Sequence, residues 1–246
     1  DARPQVRTLL IALAITVVLG FIPFAGIVTY PFRLFVTFIH EGGHALAALL
    51  TGSSVHGLQV APNGGGLVYT AGGSWLSQMI VSSAGYLGAM LYGALLLILI
   101  RRSTAVRAVL YGTGAYILAL ALFFGFPNLF TIIAGIALAA GLFAAARFAT
   151  VQVANFLVAF LAVQCVVGAL FDLRTLITLS APFSGGPHTD ADNMARLTHL
   201  PPIVWALTWT ALAIVILIGS LRAYAGNTVA SAERGTWRVA RRGLRV

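Results

Sequence analysis

Seven apolar runs of about twenty residues or more divide the chain: 8–29, 31–52, 76–100, 106–125, 127–146, 151–179 and 202–221. About 20 apolar residues is the length at which a helix crosses the hydrocarbon core of a bilayer. The pattern predicts an all-α polytopic membrane protein of six to seven transmembrane helices. The first run is longer than the ~7–15 residues of a signal-peptide core and reads as a retained span, kinked at Pro23.

Two stretches break the rhythm. Between 53 and 75, the β-favouring runs Val55 to Val60 and Leu67 to Thr70 flank "PNGGG" and predict a short β-hairpin with a Gly-rich turn. Residues 180–200, "SAPFSGGPHTDADNMARLTHL", read as a polar loop. The pattern divides into a membrane domain over 1–221 and a basic juxtamembrane tail over 222–246. In the tail, Arg234, Arg238, Arg241 and Arg245 recur at helical spacing, with Trp237, Ala240 and Leu244 on another face. That spacing predicts a basic amphipathic helix on the membrane surface.

Composition sharpens this picture. The chain is 59% hydrophobic and 9% charged, where soluble domains carry about 25% charged residues. The net charge is +9 and all 15 basic residues are arginine. Most of these arginines flank apolar runs, so anionic lipid rather than nucleic acid is the expected partner. The one cysteine, Cys165, lies in an apolar run, which excludes an intramolecular disulfide and a thiolate metal cluster.

One span carries chemistry. "RLFVTFIHEGGHALAALLTG", residues 33–52, is apolar except for a charge and two imidazoles at its centre. A charge at the bilayer centre costs roughly 2.5–3.5 kcal/mol on insertion scales. His40, Glu41 and His44 spell H-E-x-x-H, and on a helix the two histidines share a face and reach one ion. Zinc accepts such ligands and lowers the pKa of a bound water to about 7. Glu41 is then placed to take a proton from that water and pass it to a leaving amine. At this chain's His and Glu frequencies the motif arises by chance with odds on the order of one in a thousand.

A catalytic zinc usually has three protein ligands. Glu41 and Asp172 are the acids that fall within apolar runs. His44 lies eight residues before Gly52 and Asp172 eight before Ser180, which places both about 12 Å in from the end of their span. Asp172 is therefore the expected third ligand. His56, His188, Asp190, Asp192 and His199 lack a recognised ligand spacing and read as solvated loop residues, with Asp190 and Asp192 the fallback ligands.

The sequence resembles the site-2 protease-like intramembrane zinc metalloproteases, and among them the compact bacterial members. The resemblance rests on "HEGGH", the Gly-rich hairpin, "SSAGYLGAMLYG" (82–93) and Asp172 in a late run. It implies a peptidase in the cell membrane acting on membrane-protein substrates. His40, His44 and Asp172 match the family's zinc ligands, and Glu41 its catalytic base. Gln164 stands roughly where the family has an Asn that polarises the scissile carbonyl; the alternative for it is an interhelical hydrogen bond. The family's re-entrant hairpin implies that Leu67, Val68, Tyr69 and Thr70 pair with an extended substrate. The chain departs from the family in having Leu173 after the Asp, no preceding Pro, and "AGY" at 84–86 in place of an "AGP"-like turn. Two rival readings use the same residues: a transporter or channel with a buried polar path, and a catalytically silent relative that binds membrane helices.

Overall fold

A computed structural model describes residues 3–100, 105–126, 128–180 and 188–243, with side chains over 6–224. The chain runs α1 (Arg3–Phe21), α2 (Gly26–Leu50), β1 (Ser54–Val60), β2 (Gly66–Ala71), α3 (Trp75–Leu99), α4 (Val106–Phe124), α5 (Leu129–Phe148), α6 (Val151–Leu179), α7 (Asp190–Thr198) and α8 (Pro202–Gly243). Several starts carry side-chain caps. Ser74, Asn128 and Thr150 accept from the backbone N–H three residues on, opening α3, α5 and α6.

Among the described residues, five helices are long and apolar enough to cross a membrane: α3, α4, α5, α6 and the Pro202–Tyr224 part of α8. The protein is a helical polytopic membrane protein. The first two apolar runs pass the same test only as a pair, bent by 120° between α1 and α2. The count is thus five, or six with the bent pair as one span, below the upper end of the expected six to seven. The cause is local. Proline disfavours helix at the residue before it, so α1 ends at Phe21, ahead of Pro23, and Phe24 turns the chain with φ of 65°. The helix resumes at Gly26 and continues through Pro31.

α3 packs against α2, α6 and α8. Small residues allow the approach, as is usual where lipid removes the hydrophobic drive between helices. A Cβ at Gly43 would strike the Ala84 carbonyl, and one at Gly93 would press on Cys165 and Val166. Cys165 is fully buried, as its apolar surroundings predict.

The hairpin forms where expected, with Gly64 at φ 87° in its turn. Its two strands differ in surroundings. Leu58 and Val60 of β1 are fully buried, and the C-terminal end of β1 is tied to α5, Val60 N–H donating to Thr131 Oγ1 at 2.8 Å. Among the described residues β2 pairs with β1 alone and leaves its other edge open, with five of its six residues exposed. α2 holds the turn from one face. Tyr30 donates to the Pro62 carbonyl at 2.7 Å, Arg33 to that of Asn63 at 2.5 Å and Thr37 to that of Gly64 at 2.7 Å.

The expected loop over 180–200 is corrected in part. Residues 190–198 form α7, opened by a capping box in which Thr189 Oγ1 accepts from Asp192 N–H and the Asp192 carboxylate accepts from Thr189 N–H. Ala191 and Met194 bury its inner face. The expected tail helix is continuous with α8 in its backbone; the arginine faces at 234, 238, 241 and 245 lie outside the residues with described side chains.

Candidate active site

α2 presents His40 and His44 one turn apart on one face, their rings edge-to-face with centroids 4.9 Å apart. His44 Nδ1 lies 2.6 Å from the Val81 carbonyl of α3. A carbonyl only accepts, so Nδ1 carries a proton, and Nε2 is the nitrogen that faces the cavity. Metal-ligating imidazoles are oriented by the same kind of outer hydrogen bond. Gly85 of α3 completes the clearance, since a Cβ there would collide with Nε2 of both histidines. Glu41 is 6% exposed, and its carboxylate lies against the first residue of β2, where a Cβ on Gly66 would collide with it.

The carboxylate that meets the imidazoles comes from α7. Asp190 Oδ2 stands 3.4 Å from His44 Nε2 and 3.8 Å from His40 Nε2. Burial raises the Asp190 carboxyl, but the two imidazoles beside it outweigh burial and hold it well below the usual carboxylate range. His40, His44 and Asp190 form a group able to hold a metal ion, with donor atoms all within 4.8 Å of one another. Bonds of about 2.0–2.1 Å in a tetrahedron separate donors by about 3.4 Å, so the set fits one ion after small adjustments.

These residues open onto a cavity of 660 Å³ walled by α2, β2, α3, α6 and α7. Asp172 lines it from α6 but stands outside the donor group, where Asp190 takes the place expected of it. Gln164 is absent from the lining; its amide donates to Thr16 Oγ1 of α1 at 3.2 Å, the interhelical bond that was the alternative for it. Leu67, Val68 and Thr70 of β2 line the cavity, whereas Tyr69 does not. Of the other polar loop residues, His188 lies at the rim with Asn193 and Arg196, whose guanidinium donates to Asn193 Oδ1 at 2.6 Å.

The sequence offered Asp190 as a fallback ligand but its segment as loop rather than helix. The signal was present in "TDADNMARL": a Thr three residues before an Asp, then Ala191 and Met194 at helical spacing. Sequence reading also passed over the packing that seats Tyr86, whose ring meets His40 edge-on at 4.6 Å and stacks on Trp209 of α8 at 5.5 Å.

A family model described as peptidase M50B-like matches residues 8–220. The chain belongs to this site-2 protease-like family. The match spans every candidate residue named above and identifies the chain as a peptidase of the site-2 protease type. No curated protein and no solved structure matches it.

Proposed function

We propose that this M50B-like peptidase hydrolyses peptide bonds of membrane-associated proteins within or beside the bilayer, with a zinc ion held by His40, His44 and Asp190. The observation that carries the reading is the convergence of two imidazoles and one carboxylate, beside Glu41, on one cavity among the apolar helices. Zinc bound there supplies Lewis acidity, which polarises a carbonyl and brings the pKa of a water to about 7. Glu41 would take a proton from the attacking water and pass it to the departing amine. Gly66 lets the β2 backbone approach Glu41 closely, so a chain laid along β2 passes the base.

The free edge of β2 serves the substrate. A membrane helix reaches the site with its amides internally bonded, and hydrolysis needs an extended backbone. Pairing with β2 gives the unwound segment new partners. Leu67, Val68 and Thr70 are the contact points from the cavity side. Asp172 contributes a second carboxylate to the wall and is not needed for metal in this reading.

Two experiments test the proposal. Metal analysis of purified protein is expected to find one zinc per chain, lost in His44→Ala. Proline at Val68 removes a backbone donor from the strand and is expected to impair cleavage while zinc stays bound. Absence of zinc from the wild-type protein would remove the reading; unimpaired cleavage by the Val68 variant would remove the role of β2.

A further inference from the structure

The hydrolysis proposed above develops negative charge on the scissile carbonyl oxygen, and a zinc enzyme commonly sets a neutral donor beside the metal to receive it. Gln164, the sequence-level candidate, is committed to Thr16 and lies off the cavity. Another donor does line it. Tyr86 follows Gly85, the residue whose Cα faces both histidine Nε2 atoms. Its ring is clamped between the edge contact with His40 and the stack on Trp209. Trp209 is 1% exposed and is itself fixed by a hydrogen bond from its Nε1 to Ser83 Oγ at 3.1 Å. A ring held on both sides presents its hydroxyl at a set position.

That hydroxyl has no hydrogen-bond partner among the described residues and is not sealed from the cavity. It lies within electrostatic reach of Glu41, Asp172 and Asp190, which places it amid the site's charged groups. Two other tyrosines are committed to partners. Tyr92, further along α3, is hydrogen-bonded to Thr113, and Tyr30 to the hairpin turn. A buried phenol usually finds a partner; the one at the site is left open.

We propose that Tyr86 is a catalytic residue, its phenol donating a hydrogen bond to the carbonyl oxygen of the scissile peptide as that oxygen becomes an oxyanion. This rests on the hydrolase reading above. As the water oxygen bonds to the carbonyl carbon, the π pair moves onto the carbonyl oxygen, and Tyr86 O–H donates to it while keeping its proton. When the pair returns, the C–N bond breaks and the amine nitrogen takes the proton held by Glu41. A phenol, with a pKa of about 10, is a donor throughout the neutral range.

Tyr86→Phe tests this, because it keeps the ring contacts with His40 and Trp209 and removes the hydroxyl alone. The probes are zinc-loaded protein in detergent, fluorescently labelled casein as an unfolded substrate, and a leucine-flanked phosphinic pseudo-dipeptide whose tetrahedral oxygens imitate the oxyanion. The expected result is a loss of about 10²–10³ in kcat, with KM and zinc content unchanged. Phosphinate binding should weaken by a similar factor, while the matching cleaved peptides bind as before. A kcat within about threefold of wild type, or equal loss of phosphinate and product binding, overturns the proposal. So does loss of zinc from the variant, which would make Tyr86 a positioning residue for His40. Failure of the hydrolase reading looks different: the wild-type protein itself then neither cleaves casein nor binds the phosphinate.

Discussion

α2 and α7 reach the same site by opposite means. α2 is 25 residues long, runs through the bundle, and brings His40, Glu41 and His44 to the cavity through helix periodicity alone. α7 is 9 residues long, polar, and delivers one carboxylate through its placement. It is held by its capping box, by Ala191 and Met194, and by two tryptophans. Trp75 Nε1 donates to the Leu197 carbonyl at 2.9 Å, and Trp205 Nε1 to Thr198 Oγ1 at 3.0 Å. Positions on a long helix are set by covalent geometry, so a motif survives as geometry. Positions on a short one are set by neighbours, so its donor is only as fixed as its anchors.

The comparison breaks most sharply at the base. Glu41→Gln preserves size and removes the proton acceptor, so turnover of labelled casein should fall by about 10²–10⁴ with zinc retained; loss of zinc would make Glu41 a ligand instead. Next come the donors. His44→Ala and Asp190→Ala should each weaken zinc binding by more than about 100-fold, beyond what loss of an outer partner does. Asp172→Asn should leave zinc binding within a few-fold of wild type. A competition titration against a chelator measures all three, and strong loss in the Asp172 variant with none in the Asp190 variant would reverse the assignment.

A smaller break lies between the two helices. Gly85→Ala drives a methyl into both imidazoles, and the site must open to admit it. Weaker zinc binding with little change in detergent-solubilised thermal stability is expected, because the conflict is confined to the donors. The smallest effect belongs to the anchor of α7. Thr189→Ala removes an N-cap of about 1 kcal/mol, so zinc affinity should drop about fivefold if α7 holds Asp190 in place, and not at all if Asp190 reaches the site unaided.

Legibility in the sequence followed the range of the interaction. The hairpin strands were readable because β-favouring residues around a Gly-rich turn are a local signal; both formed within a residue or two of their expected ends. Five of the seven apolar runs carried over to spanning helices with small shifts, but the first two became a pair bent by 120° around Pro23, because hydropathy counts residues without registering a change of direction. Gln164 was plausible by position along its span, yet position says nothing about which side of α6 meets α1. Asp172 was chosen for depth and sits in the cavity wall, while Asp190, read as loop and kept as a fallback ligand, lies beside the two histidines.

The sequence by itself determined the membrane class, the H-E-x-x-H face and the strands beside it, since each depends on residues within a few positions of one another along a regular backbone. The tertiary structure decided which carboxylate joins the two histidines, which tyrosine faces the cavity, and which strand edge stays open. Those outcomes depend on contacts between α2, α3, α7 and α8 across long separations in sequence, where close packing of small residues and a few buried hydrogen bonds fix distances that no local pattern encodes.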